Sequence, residues 1–301
     1  MRDLLLSQLL IVCLWMPEAC SSKDSLSGFR TIYDSDSRIP VQASNTNLAV
    51  FSGQIALLSH HYSVQTRSPS EVSFKPRRLG DVLQLCSNEP FREQWMLGDC
   101  TGFSLDGRSL VTARHCIPDL ASCESRLFVF GRTNPSEFSF SNSQLRSCKK
   151  IVAALEKEKG DLVLVELDRP LENFSGVLKY GSDQAIDLAN VNEVSNRLFA
   201  IGHPFGIAQT AAPVETAFQP LSNIFMSARA DVAQGMSGAP VIDVHRHEVR
   251  GVLVGGEADL EWNEAESCNR SRICSGADCS SEKFANPASL QSLLKTGALS
   301  F

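Results

Sequence analysis

From residue 48 onward the chain is written in short apolar runs broken by turn residues, and that spacing leaves few architectures open. Runs stand at residues 48–58, 127–130, 162–167, 198–201 and 249–254. Strands at this density, with few helical patterns between them, predict an all-β sandwich or barrel protein. Two segments predict hairpins. Asp106-Gly107 sits between apolar runs in residues 101–112, a pair favoured where both turn positions need positive φ. The polar His245-Arg246-His247 divides a second pair of runs in residues 239–254. Residues 60–94, polar and carrying Pro69, Pro76 and Pro90, predict a long loop. Leu290, Leu293 and Leu294 fall at helical spacing and predict a short C-terminal helix over 288–295.

The start of the chain has a different character. Arg2 precedes an apolar run over residues 4–16, and small residues follow at Ala19-Cys20-Ser21. That order predicts a secretory signal peptide over 1–21, followed by a short leader over 22–30. Cys20 offers an alternative, a lipid anchor on its thiol, although Pro17 and Glu18 are poor residues before such a cysteine. No later run approaches the ~20 apolar residues of a membrane span. Ten cysteines fit export. Without Cys13 and Cys20 the set is Cys86, Cys100, Cys116, Cys123, Cys148, Cys268, Cys274 and Cys279, an even number suited to disulfides in an oxidising compartment. A zinc site would call for a Cys-x-x-Cys pair, and the sequence has none. A net charge of −6 gives no basic face for nucleic acid.

Three separated segments carry the chemistry. In Leu110-Val111-Thr112-Ala113-Arg114-His115-Cys116 an apolar run ends in a histidine. The neighbouring cysteine has a possible partner sixteen residues back, at Cys100, and such a bridge would contribute about 3 kcal/mol by loop closure. In Gly160-Asp161-Leu162-Val163-Leu164-Val165 a lone carboxylate precedes a strand, where it could fix the tautomer of an imidazole. In Gln234-Gly235-Met236-Ser237-Gly238-Ala239-Pro240 glycines flank a serine, so the backbone can turn tightly and aim amides at an oxyanion. The order His, Asp, Ser on a β background separates this chain from hydrolase-type and subtilisin-type enzymes.

These three segments resemble the signatures of trypsin-like serine peptidases of the chymotrypsin fold. Residues 32–38, Gly202-His203-Pro204-x-Gly206 and Gly251-Val252-Leu253-Val254-Gly255-Gly256 resemble the bacterial glutamyl endopeptidase branch. The resemblance spans residues 31–295. It implies two six-stranded antiparallel β-barrels, with residues 31–180 forming the first and its N-terminal extension, and residues 181–301 forming the second, a Cys-rich tail and the terminal helix. It implies a catalytic triad of His115, Asp161 and Ser237 in the cleft between them, with the amides of Gly235 and Ser237 as oxyanion hole. It also implies a working N-terminus at Thr31, after a cut at Arg30. Cys100–Cys116 and Cys123–Cys148 are the expected disulfides, with Cys86 reaching the tail cysteines. No cofactor or metal is expected, and His60-His61 and His245-x-His247 read as surface-loop residues.

The chain departs from its relatives at three positions. Arg114 precedes the histidine where a small residue is usual, and Met236 precedes the serine where Asp or Asn is usual. Leu253 stands where glutamyl endopeptidases place a histidine beside the specificity pocket. Asp231, six residues before Ser237, has the spacing of a pocket-floor carboxylate, so Asp231 and Leu253 are the expected pocket residues, with a preference for Arg or Lys. The other reading of Asp231 is a bond to neighbouring backbone. The expected function is that of an exported, monomeric serine endopeptidase acting on proteins or peptides through an acyl-enzyme. The alternative, motivated by Arg114 and Met236, is a catalytically impaired relative serving as a binding or regulatory module.

Overall fold

A computed structural model describes residues 32–42, 46–181, 197–216, 218–256, 258–275 and 280–298. The expected signal peptide, Cys20, the cut after Arg30 and Cys279 lie outside the described residues. Among the described residues no helix is long and apolar enough to cross a membrane.

The protein is mostly β, as its apolar runs predict. Six strands close a barrel in the order Arg126–Phe130, Leu145–Leu155, Leu162–Leu167, Ser109–Ala113, Cys100–Phe103 and Ile55–His60. Alternation along the strands sorts their side chains to two faces. Leu58, Phe128 and Phe130 join the large core, whereas Leu57, Leu127 and Val129 face an outer cluster with Val72, Phe74 and Phe140. That outer cluster explains where the expected loop over 60–94 departs from the prediction. Buried Val72 and Phe74 alternate with less buried Glu71 and Ser73, so Val64–Arg67 and Glu71–Phe74 join Ser139–Ser141 in a three-stranded sheet over the barrel wall. The hydrophobic gain from covering that wall outweighs the polar composition on which the loop reading rested.

The second unit is a nine-stranded sheet. Six of its strands run in the order Phe225–Ala228, Glu282–Ala285, Glu248–Gly255, Pro240–Asp243, Leu198–Gly202 and Thr210–Pro213. The segments that follow Thr210–Pro213 and Phe225–Ala228 meet at an antiparallel bridge between Val214 and Ala230. The N-terminal segment belongs with this unit. Ile32–Tyr33 pairs with Ile273–Cys274, and Ile39–Pro40 pairs with Thr210–Ala211.

Local chemistry fixes the turns. Asp106 Oδ1 accepts hydrogen bonds from the Arg108 and Ser109 amides, closing the first hairpin. Asp243 does the same for His245 and Arg246 in the second. The terminal helix runs Pro287–Thr296, with Asn286 as N-cap accepting from the Ser289 amide. It packs Leu290, Leu293 and Leu294 into the large core, which both units share. Disulfides join Cys86 to Cys268, Cys100 to Cys116 and Cys123 to Cys148, and Cys274 is also disulfide-bonded.

The turn at Pro204–Gly206 rests on a buried histidine. His203 Nδ1 lies 2.8 Å from the Ile207 carbonyl, which makes it the protonated nitrogen of a neutral ring. Burial pulls the His203 pKa down to about 3, against that hydrogen bond, and the Arg132 charge pulls in the same direction as burial. The folded value lies below the unfolded one. Stability supplied by the neutral ring is therefore complete above about pH 6.5 and is lost as pH falls towards the folded value, at up to ~1.4 kcal/mol per pH unit. Denaturant titrations are expected to show wild type losing ~2 kcal/mol more than His203→Gln between about pH 6.5 and about pH 4.5. Equal losses in the two proteins would exclude His203 as the source.

Candidate active site

The site begins with Asp161, whose backbone is left-handed at φ 52°. This conformation is uncommon for a residue other than glycine, and aspartate tolerates it better than most. Four contacts hold it there. The Asp161 amide donates to the Glu156 carbonyl, and the Asp161 carbonyl accepts from the Arg114 amide at 2.8 Å. Oδ1 accepts from the His115 amide, and Oδ2 lies 2.8 Å from His115 Nδ1. The carboxylate is buried, with 7% of its side chain exposed, whereas the imidazole is 47% exposed. Asp161 thus fixes both the backbone and the ring of His115, and Nδ1–H donation to the carboxylate leaves Nε2 as the basic nitrogen.

The loop that carries His115 is held from behind. The Cys100–Cys116 disulfide ties it to the neighbouring strand. Arg126, itself buried, donates from Nε and Nη2 to the Cys116 carbonyl at 3.1 and 2.6 Å. Arg114 turns away from the ring. Its Nη1 donates to the carbonyls of Ile117 and Pro118, and its Nη2 lies 3.5 Å from Glu156 Oε1. The cation expected to disturb this site is thus occupied by local carbonyls and a counter-ion.

Ser237 comes from the second unit and is pinned to the first through Thr101. The Thr101 amide donates to the Ser237 carbonyl at 2.9 Å, and Thr101 Oγ1 donates to the Gly235 carbonyl at 2.8 Å. Gly238, at φ 87°, is required by this approach, because a Cβ there would lie 2.2 Å from the Thr101 carbonyl oxygen. Met236 points the other way, fully buried in an apolar cluster with Leu198, Val214, Val241 and Phe284. The serine loop is therefore anchored at this position by apolar packing.

The same loop sets the direction of two amides. The Gln234 carbonyl accepts from the Phe205 amide and the Met236 carbonyl accepts from the Ala239 amide. In a planar trans peptide the following N–H points opposite to its carbonyl. The Gly235 and Ser237 amides consequently face away from those partners, and neither donates to another group among the described residues.

His115 and Ser237 border one cleft of about 530 Å³, which Leu253, Gly256, Asp259 and Glu282 also line. The Ser237 hydroxyl makes no hydrogen bond to the ring among the described residues, and such contacts commonly tighten only with substrate. Leu253 is part of the cleft wall. Asp231 is engaged elsewhere. Its Oδ1 accepts from the Tyr33 amide at 2.8 Å, and its Oδ2 accepts from the Ser37 amide and hydroxyl at 2.7 and 2.6 Å. Burial raises its pKa, and those hydrogen bonds oppose the rise. Asp231 therefore binds the N-terminal segment and is not among the cleft-lining residues. The carboxylates on the cleft, Asp259 and Glu282, went unmarked in the sequence, since their approach depends on strand pairing.

Comparison with known proteins follows the same lines. The family model described as a trypsin-like peptidase domain matches residues 100–252. No curated protein matches the sequence. Solved structures similar to it include the active form of the Rv3671c protease from M. tuberculosis, at 15% identity and TM-score 0.45, covering 91% of this chain and 93% of that one. The VesB protease of Vibrio cholerae is 14% identical at TM-score 0.48, over 86% of this chain and 66% of that one. A Glu endopeptidase in complex with MPD is 14% identical at TM-score 0.46, over 89% and 99%.

The anchoring role of Met236 is open to direct measurement. Met236→Asp places a carboxylate among apolar side chains and is expected to cost ~3 kcal/mol or more of stability. Met236→Leu, which conserves volume, is expected to cost less than about 1.5 kcal/mol. Comparable midpoints for Met236→Asp and wild type in chemical denaturation would rule out apolar anchoring.

Proposed function

The chain belongs to the trypsin-like peptidase domain family, and from that premise we propose that it is an exported serine endopeptidase using Ser237, His115 and Asp161. The observation that carries this reading is the Asp161-bound imidazole, 2.8 Å from its carboxylate, bordering the same cleft as Ser237. Ser237 Oγ attacks the peptide carbonyl as His115 Nε2 takes its proton. The Gly235 and Ser237 amides receive the negative charge on the carbonyl oxygen. His115 returns the proton to the leaving amine, and water, activated by the same ring, releases the acyl group. Asp161 orients the ring and stabilises its charged form throughout.

The orientation of the two amides supports the oxyanion-hole assignment. The local partners of Arg114 and the burial of Met236 favour this reading over a catalytically impaired module. Export is supported by the disulfides, which form and persist in oxidising compartments.

An organofluorophosphonate reagent, which reacts only with an activated serine, is expected to label wild type at Ser237. Ser237→Ala is expected to fold normally and to lower peptide hydrolysis by about a millionfold. A Ser237→Ala protein retaining a tenth of the activity would remove Ser237 from the mechanism.

A further inference from the structure

The cleft beside Ser237 carries two carboxylates, and among its described lining residues no lysine or arginine. The two carboxylates differ in place. Asp259 is half-buried, and its Oδ2 accepts from the amide of exposed Gln234 at 2.6 Å. Glu282 is only 1% exposed, yet it borders the cleft, which places it at the inner end.

Strand register explains how a glutamate comes to lie there. Glu282 opens the strand Glu282–Ala285, which pairs with Glu248–Gly255 so that Leu253 faces Phe284 and Gly255 faces Lys283. The next position on the wall is Gly256. A Cβ on Gly256 would lie 1.9 Å from Glu282 Oε2, so the missing side chain is what gives the carboxylate its room. The other oxygen is held from behind. Tyr33 Oη lies 3.2 Å from Glu282 Oε1 and 2.8 Å from the Ser280 carbonyl, so the phenol's one proton is shared between them. Burial, and then the Glu282 charge, raise the Tyr33 pKa far above its ordinary value, which keeps the phenol a donor.

The cleft that holds this carboxylate and Ser237 is also lined by the apolar Val232, Ala233, Leu253 and Val254. Apolar walls lower the local dielectric and strengthen any charge interaction across the space. A cationic side chain entering the cleft meets an oriented carboxylate, whereas an anionic one meets repulsion and desolvation. We propose that Glu282, and not Asp231, selects the substrate by pairing with an arginine or lysine side chain on the acyl side of the cleaved bond. The proposal rests on the endopeptidase reading given above.

Two measurements test it, and they fail separately. The first compares kcat/KM for peptide amides carrying arginine or its neutral isostere citrulline at that position. Wild type is expected to favour arginine by ~10- to 100-fold, the range of a hydrogen bond to a charged group. Glu282→Gln is expected to bring the ratio close to one, and Asp231→Asn to leave it unchanged. Should Glu282→Gln fail to fold, Gly256→Ala, whose Cβ displaces the carboxylate, is expected to lower the ratio in the same direction. A wild type that cleaves the citrulline or glutamate peptide as well as the arginine one overturns the proposal. A ratio retained in the Glu282→Gln or Gly256→Ala protein, or lost in Asp231→Asn alone, overturns it as well. The second measurement needs no catalysis. Fluorescent p-aminobenzamidine, an arylamidinium cation, is titrated into Ser237→Ala protein with and without Glu282→Gln. Binding weakened ~10- to 100-fold by the second substitution supports the pocket even if no peptide is cleaved, and equal binding refutes it.

Discussion

The position of one unit against the other is set at Thr101, and the chemistry of the site depends on that contact. The main chain and side chain of this buried residue donate to the Ser237 and Gly235 carbonyls, while its hydroxyl accepts from the His203 amide at 2.9 Å. Its own carbonyl accepts from Thr112 Oγ1 at 2.6 Å, one strand away and three residues before His115. Thr101 also follows Cys100, whose disulfide partner Cys116 follows His115. A single residue thus ties the serine loop, the histidine loop and the Pro204–Gly206 turn into one hydrogen-bonded junction. Separating the units would leave several buried polar groups without partners, at ~1–3 kcal/mol each. The junction makes the spacing of His115 and Ser237 a property of backbone geometry, with no need for direct attraction between the two side chains.

Much of this was legible in the sequence, because local signals and local geometry coincide. Asp106-Gly107 and His245-Arg246-His247 mark turns that occur where the residues stand, and Leu290, Leu293 and Leu294 mark a helix with one apolar face. The segments bearing His115, Asp161 and Ser237 each keep their chemistry within a few residues of a strand end. What the sequence withheld depends on pairing between distant strands. Asp231 has the spacing of a pocket carboxylate, but its direction is decided by Tyr33 and Ser37, nearly two hundred residues earlier in the chain. Glu282 reaches the cleft only through its register with Gly255. The strands within residues 60–94 were hidden for a similar reason, since Val72 and Phe74 find their apolar partners on a barrel wall built from other segments.

The departures from the family pattern also become consistent once their surroundings are known. An acidic side chain before the serine needs a charged or hydrogen-bonding partner, whereas the Met236 side chain packs in a cluster of buried aliphatic and aromatic residues. Methionine fills that space with no desolvation penalty and no dependence on ionisation. The charge-dependent tie of the N-terminal segment falls instead to Asp231, whose buried carboxylate takes three hydrogen bonds from Tyr33 and Ser37. Anchoring of the serine loop and docking of the N-terminal segment therefore rest on different chemistry at positions five residues apart.

That separation has a structural consequence for the cleft. Tyr33 is held by Asp231 at its amide and meets Glu282 at its hydroxyl, so the N-terminal segment braces the carboxylate from the side opposite the cleft. Packing of Met236 keeps the serine loop in place without that segment. The residues that hold the nucleophile and those that orient the inner carboxylate thus form two sets, joined through the strands of the second unit. Under this arrangement a change at the Tyr33 hydroxyl acts on the pocket before it acts on the serine. Thr101 acts first on the nucleophile's loop, through its bonds to the Ser237 and Gly235 carbonyls.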